Sequence, residues 1–340
     1  MVRFGVAGFG RHAVQRLMPG FANAQHCRVI ALSRRDIHRA QDSARQYGIP
    51  LAFASTAELC ACPEVDAVFV ASPDALHKTD VLEAVRHRKP VLVEKPMAMN
   101  GSEARAMVDA AREAGVLLGV AHHMRFEHSV HWFREKIAEA AIGRPLLATG
   151  TFIVPMLSSR RTWAQDPTLA TGGPLADLGV HLIDTLRYIL DDQVESVTMQ
   201  AQYDSHSVLE ASAAGELRFS RGTLASVSVS GRGTYQSIIE IVGETGVLSA
   251  VNALNVERPV MLELRRGFEV VERTEVANGD VYTLQLDAFA AAAENGGKFL
   301  ISGAEGLRNQ LILDAAFRSI KSGKVERVDS AGDLGSSAVS

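Results

Sequence analysis

The amino-acid sequence predicts an α/β protein: an N-terminal doubly wound parallel sheet, then an α+β domain built on an open, mostly antiparallel sheet. Three observations carry this prediction. Over residues 1–120 short apolar runs alternate with helical patterns. The first run opens onto Gly8-Phe9-Gly10-Arg11-His12-Ala13, a G-x-G-x-x-A turn between a strand and a helix. Beyond residue 193 the pattern becomes a series of alternating segments split by turns such as Ser220-Arg221-Gly222.

Taken in order, strands are expected near 2–7, 27–32, 66–71, 90–94 and 116–121, with helices near 12–22, 36–48, 77–88 and 102–114. Ser102 followed by Glu103 reads as the start of the last of these helices, and Gly115 as its end. A helix near 128–141 and a strand near 146–154 come next, then a loop and a helix carrying Asp177 and His181. The segments VESVTMQAQ, SAAGELRF, TLASVSVS, QSIIEIVG, PVMLELRR and EVVERTEV read as six strands. Helices near 282–295 and 303–321 close the fold. The domains expected are therefore 1–121, dinucleotide-binding and of Rossmann type; 122–328, substrate-binding and oligomerising; and a polar tail, 329–340.

Composition excludes several classes. At 340 residues, 47% hydrophobic and 22% charged, the chain is that of a soluble globular protein large enough for two cores. A net charge of −4 with dispersed basic residues offers nothing to nucleic acid or to an anionic membrane. No apolar run approaches the ~18 residues of a membrane span, and Met1 begins no secretory pattern. Cys27, Cys60 and Cys62 fit a reducing cytoplasm, and Cys60-x-Cys62 lacks both the spacing and the second pair of a zinc site. His122, His123, His128 and His131 are irregularly spaced with only Glu127 beside them, so no metal is expected.

Four segments carry chemistry. In the N-terminal turn Gly8 makes the tight bend, Gly10 lets the backbone approach a pyrophosphate, and Ala13 permits close helix–sheet packing. The second strand ends in Ser33-Arg34-Arg35, where an NAD-preferring chain has an acidic residue for the ribose 2′-hydroxyl. A hydroxyl and two guanidinium groups suit a 2′-phosphate, which favours NADP (NADPH) over NAD; Asp36 is the competing ribose acceptor. The apolar run of PVLVEKP ends in Glu94-Lys95-Pro96, so Lys95 lies at the carboxyl end of a strand, where ligands bind in such sheets. Pro96 restricts Lys95 to extended backbone and allows a cis bond. Finally, GGPLADLGVHLID places Asp177, His181 and Asp184 at i, i+4 and i+7, one face of a helix, after a Gly172-Gly173 entry.

GVAGFGRHA, VEKP and GGPLADLGVHLID, in this order and spacing, resemble the Gfo/Idh/MocA family of nicotinamide-dependent oxidoreductases. DAVFVASPDALH, HHMRF and LDAAFRSIKSGK also fit family positions, so the resemblance spans nearly the whole chain. It implies that Lys95, Asp177 and His181 form the catalytic group, and that Ser72, Pro73 and His77 line the cofactor crevice with Phe9, Arg11, His12 and Glu94. It also implies that Arg125 and Trp163 lie near a sugar-like or polyol substrate, the plainer alternatives being an ion pair and a core indole. Pro174 departs from a common third glycine. Within the family, Ser33-Arg34, the His122-His123-x-Arg125 run and Ile142-Gly-Arg-Pro145 are most similar to the NADPH-dependent 1,5-anhydrofructose reductase branch.

The expected activity is hydride transfer between NAD(P) and a CH–OH carbon of a sugar, anhydrosugar or cyclitol, with His181 or Lys95 exchanging the hydroxyl proton. Two alternatives share the fold: an NAD-dependent glycosidase that oxidises transiently, and a non-catalytic dinucleotide-binding regulator. The second sheet has too few helices to cover both faces, so a homodimer or homotetramer is expected through the bare one.

Overall fold

The computed structural model describes residues 1–155, 162–205 and 207–332; the remainder of the loop near 155–172 and most of the 329–340 tail lie outside the described residues. The chain divides into two compact units. The first is Met1–Ala121 with Tyr282–Leu311 and the tail from Asp329; the second is His122–Val281 with Ile312–Val328.

The first unit begins with β1 (Val2–Ala7), then a π turn over Ala13–Leu17 running into α1 (Met18–Asn23). There follow β2 (Cys27–Ser33), α2 (Ile37–Tyr47), β3 (Leu51–Phe53), α3 (Thr56–Ala61) and β4 (Ala67–Val70). Next come α4 (Asp74–Arg86), β5 (Val91–Val93), α5 (Gly101–Ala114) and β6 (Leu118–Val120). Among the described residues the six strands form one sheet in the order β3-β2-β1-β4-β5-β6, and every pairing is parallel. Strand order reverses between β1 and β4, so the turns after these two strands diverge and open a crevice at their carboxyl ends. The doubly wound expectation holds, with β3 and α3 added to it. α4 starts at Asp74, three residues earlier than expected, and α5 is capped by Asn100, which accepts the Glu103 N–H, rather than by Ser102. Gly115 ends α5 at φ +63°, as its position implied.

Residues 282–311, expected in the second domain, pack in the first. The reason is aromatic. On α8 (Val281–Asn295), Phe289 meets Phe4 of β1 at 6.0 Å between ring centroids and Phe299 at 5.2 Å. A fully buried phenylalanine contributes about 1.5–3 kcal/mol. Thr283 Oγ1 donates to the Gly20 carbonyl at 2.9 Å, and Val120 N–H to Ile301 at 2.9 Å.

In the second unit α6 (His128–Ala138) precedes β7 (Pro145–Ile153), and a π turn, Leu175–Gly179, leads into α7 (Val180–Leu190). Then follow β8 (Val194–Tyr203), β9 (Glu210–Phe219), β10 (Leu224–Ser230), β11 (Gln236–Gly243) and β12 (Val247–Val251). β13 (Val260–Arg266) and β14 (Glu269–Val276) form a hairpin. α9 (Gly303–Ser322) enters this unit at Ile312 and is followed by β15 (Glu326–Arg327). Among the described residues the sheet has nine strands, in the order β14-β13-β12-β11-β7-β10-β9-β8-β15. All pairs are antiparallel except β7 with β10. One face is core. Ala148 and Phe152 of β7, Val227 of β10 and Ile239 and Ile241 of β11 are buried with Leu182, Ile183 and Leu186 of α7 and Ile312 and Leu313 of α9. A side chain at Gly150 would press on Leu182 at 3.1 Å, which lets α7 lie close to β7.

Candidate active site

The first unit supplies a dinucleotide crevice. Gly8 has φ +77°, and a Cβ there would lie 2.5 Å from the Ser72 backbone, so only glycine lets β1 turn beside β4. At Gly10 a Cβ would meet nothing nearer than the Gly8 carbonyl at 3.8 Å; the glycine leaves an open cradle next to the helix start, which fits a pyrophosphate. Phe9 is buried, its ring 5.7 Å from that of Tyr47, and its N–H donates to the Ser33 carbonyl at 3.1 Å. Arg11 is exposed.

At the end of β2 the Arg34 guanidinium donates to Ser43 Oγ at 2.8 Å, while Arg35 is exposed. Asp36 caps α2: one carboxylate oxygen accepts the N–H groups of His38 (3.0 Å) and Arg39 (3.2 Å). The bond from Arg39 N–H leads the causes that hold this carboxyl below its ordinary range. The cap engages the acid that competed as a ribose acceptor.

Ser72 Oγ donates to Asp80 at 2.6 Å, and Pro73 sits at the cap position of α4. His77, buried in α4, places its two ring nitrogens 2.9 Å from the Ser72 carbonyl and 3.0 Å from that of Pro96, joining the turns after β4 and β5. The Lys95–Pro96 bond is cis. Buried Glu94 stands 2.8 Å from His12 Nε2 and accepts the Lys95 N–H at 3.3 Å.

The second unit holds the cluster of His122, His123 and His181. His181, in the first turn of α7, is buried, its ring centroid 5.1 Å from His123, 6.4 Å from His122 and 6.4 Å from Phe152. One turn along α7, Asp184 is wholly buried and paired with Arg125, whose Nε and Nη2 donate to it at 2.9 and 2.7 Å. Burial pushes the Asp184 carboxyl up; Arg125, then His122 (Nδ1 at 3.9 Å), together outweigh it and hold the carboxyl well below the usual range. The Arg125 guanidinium also stacks on Tyr188 at 5.0 Å. Arg125 thus forms the ion pair that was one reading of it. Trp163 is half-buried in a 3-10 turn, Thr162–Gln165, rather than a core indole.

Asp177 is half-buried in the π turn, so Asp177, His181 and Asp184 do not share the single α-helical face that their spacing implied. That turn is held by Glu210 of β9, which accepts the Leu175 N–H at 2.9 Å. Burial raises the Glu210 carboxyl, partly offset by the N–H groups of Gly173 and Leu175. Gly173 packs where a Cβ would strike the Glu210 backbone, and a Cβ on Gly172 would lie 2.5 Å from the Phe317 ring. Pro174 fits at φ −56° as the turn begins. Lys95 belongs to the first unit; Asp177, His181, Arg125 and Trp163 belong to the second. Sequence reasoning missed Glu210, His122 and His123 as site residues. The signal for the histidines was their position two and three residues before Arg125; Glu210 left none.

A six-stranded parallel sheet with an open glycine cradle, a basic second-strand end and a lysine after β5 defines an NAD-binding oxidoreductase of dinucleotide-fold type. The Gfo/Idh/MocA oxidoreductase family model, NAD-binding Rossmann fold, matches residues 2–122, and the GFO/IDH/MocA C-terminal domain matches residues 130–249. The chain belongs to this family. It is 33% identical to a 1,5-anhydro-D-fructose reductase of Ensifer adhaerens, over 90% of this chain and 92% of that one. It is 28% identical to an inositol 2-dehydrogenase of Rhizobium meliloti strain 1021, over 94% and 97%. Among solved structures, the aldose-aldose oxidoreductase of Caulobacter crescentus superposes with a TM-score of 0.87 at 22% identity, covering 96% of this chain and 99% of that one. The chain is thus a member of an NAD-binding oxidoreductase family whose named relatives are dehydrogenases and reductases.

Proposed function

We propose that this protein is an NADP-linked reductase or dehydrogenase of a sugar, anhydrosugar or cyclitol, and that Lys95, Asp177 and His181 are its catalytic residues. The observation that carries the chemistry is His181: a buried imidazole edge-on to His123, anchored on the same helix as the Asp184–Arg125 pair. An imidazole changes charge near neutrality, so it can take the proton of a carbinol hydroxyl as a carbonyl forms, or return it in reduction. Lys95 donates to the reacting oxygen and stabilises its alkoxide character; Asp177 orients the hydroxyl-bearing ligand. The nicotinamide, when bound, supplies or accepts the hydride. NADP rather than NAD is supported by Ser33, Arg34 and Arg35 at the end of β2, with Asp36 engaged as a helix cap. Similarity along 90% of the chain to an anhydrofructose reductase supports a cyclic, polyhydroxylated substrate.

We also assign a homodimer or homotetramer, formed through the outer face of the nine-stranded sheet. Register places Val247, Val242, Leu147 and Leu224 in one cross-strand row between Arg265 and Arg218. A parallel row runs Met261, Val251, Ile238 and Thr151. Leu147, Leu224, Val251 and Met261 are exposed, a set of apolar side chains larger than scattered surface residues account for. No helix among the described residues is long and apolar enough to cross a membrane, and Cys27, Cys60 and Cys62 are free thiols, in keeping with a cytoplasmic setting.

The test is a panel of sugars, 1,5-anhydro-D-fructose and inositols with NADP and NADPH, followed by nicotinamide absorbance. Turnover with at least one is expected. Absence of net cofactor change with all of them, together with release of a sugar from an aryl glycoside, would replace the proposal by the glycosidase reading.

A further inference from the structure

His12 is two residues past the cradle glycine, and its imidazole makes a contact that the dinucleotide fingerprint does not require. Its Nε2 lies 2.8 Å from Glu94 Oε1. The other oxygen of the same carboxylate accepts the backbone N–H of Lys95 at 3.3 Å. Glu94 is buried, while the His12 ring is part-exposed and stands edge-on to Tyr282 with centroids 6.1 Å apart, which limits its rotation. One carboxylate therefore links the turn after β1 to the turn after β5. On the far side of Lys95, the Pro96 carbonyl is held by His77 at 3.0 Å. The lysine backbone is bracketed by two imidazoles, one acting through Glu94 and one directly.

We propose that His12 is a positioning residue for Lys95: by holding Glu94 it fixes the backbone from which the lysine side chain is aimed. The inference rests on the reading of Lys95 as the acting amine. It makes His12 a link between dinucleotide binding and the lysine, because a nucleotide seated against the Gly8–Gly10 turn restrains His12, Glu94 and the Lys95 N–H together. Gln at position 12 keeps a side-chain N–H for Glu94; Ala removes it.

The experiment uses the full chain without cofactor and follows amide hydrogen exchange of Lys95. In His12→Ala the Lys95 N–H is expected to exchange roughly tenfold faster, the scale of one net hydrogen bond, and in His12→Gln near the parental rate. With NADPH and 1,5-anhydro-D-fructose, His12→Ala is expected to lower kcat by roughly tenfold with KM for the sugar nearly unchanged. Adding Glu94→Gln to His12→Ala is expected to cost little more than Glu94→Gln alone, since both changes act through one link. Parental Lys95 exchange in His12→Ala, or losses in kcat that add fully in the double variant, would overturn the proposal. The exchange arm needs no substrate, so an inactive parent removes the functional reading while the exchange rates still decide the role of His12.

Discussion

Glu127→Gln is expected to stabilise the second unit, increasingly so as pH rises. Glu127 stands between the 3-10 turn His123–Phe126 and α6, and no part of it reaches solvent. Its Oε2 takes the Asn278 amide at 3.3 Å, and that amide also donates to the carbonyls of Ala253 and Asn255. Among the described residues no cation pairs with Glu127 as Arg125 pairs with Asp184. Burial raises this carboxyl well above its ordinary value of 4.5, only partly offset by Ser129. The sign follows. Above pH 4.5 the unfolded chain carries an ionised Glu127 while the folded chain keeps its proton, so the native state binds more protons and stability falls as pH rises. The slope is about 1.4 kcal/mol per pH unit from the ordinary value up to the raised one, and beyond that the loss is constant. Glutamine has the same shape, keeps an acceptor for Asn278 and does not titrate. Every other group titrates alike in the two proteins, so the difference isolates Glu127. Urea unfolding at pH 5, 6 and 7, read by Trp132 and Trp163, both in the second unit, measures it. The advantage of the variant should be smallest at pH 5 and widen toward pH 7, by at most about 1.4 kcal/mol per unit. A difference independent of pH, or a variant less stable at pH 7, would refute the assignment of a neutral buried carboxyl.

Other changes probe the remaining claims. Arg34→Ala should remove most of an NADPH-over-NADH preference of at least roughly tenfold, a loss of about 1.5–3 kcal/mol in fluorescence titrations; equal parental affinities for the two nucleotides would discard the 2′-phosphate assignment. Lys95→Ala and His181→Ala should each lower kcat by about 10²-fold or more while NADPH affinity stays near parental, and full activity in His181→Ala would move the proton to Lys95. Arg125→Met strands an ionised Asp184 in the core and should cost about 3–5 kcal/mol, whereas the same change with Asp184→Asn should cost less; equal costs would show that the pair is not coupled. Leu147→Glu should shift the assembly toward monomer in sedimentation at micromolar concentration, and a parental protein that already runs as a monomer would end the sheet-face proposal.

What was legible in the sequence is what short-range sterics decide. The turn after β1 could be read because Gly8 has φ +77° and no room for a Cβ, a demand written in one residue. The end of α5 was equally local. β3 was missed: three half-buried residues, Leu51–Phe53, follow Pro50, too few for a period to show. β12, only Val247–Val251, was absorbed into the turn that precedes it, and β15 is two residues long, so seven of the nine strands were read. The π turn was not legible either, because its support is Glu210, 35 residues beyond the Leu175 N–H that it accepts. Asp184 signalled by its place on an apolar helix that it needed a partner, yet the partner, Arg125, lies 59 residues away. Domain membership was not legible for the same reason at larger scale: only long-range contacts such as Phe4–Phe289 and Thr283–Gly20 say which sheet α8 covers.

These long-range partners share a logic that bears on function. Three buried carboxyls in the second unit each hold an irregular segment that carries proposed site residues. Glu210 accepts from the turn that presents Asp177, Asp184 grips Arg125 beside His122 and His123, and Glu127 closes that same turn against Asn278. Each is supplied by a different chemical device: backbone N–H donors for Glu210, a guanidinium for Asp184, a side-chain amide for Glu127. Loops that bear catalytic groups cannot draw their rigidity from ladder hydrogen bonds, and apolar packing alone does not fix a polar side chain's direction. A buried carboxyl with a specific donor fixes both the segment and its register, at a desolvation cost that the rest of the core offsets. In the first unit Glu94 does this for Lys95, so the same device recurs wherever a proposed reacting group sits on a loop.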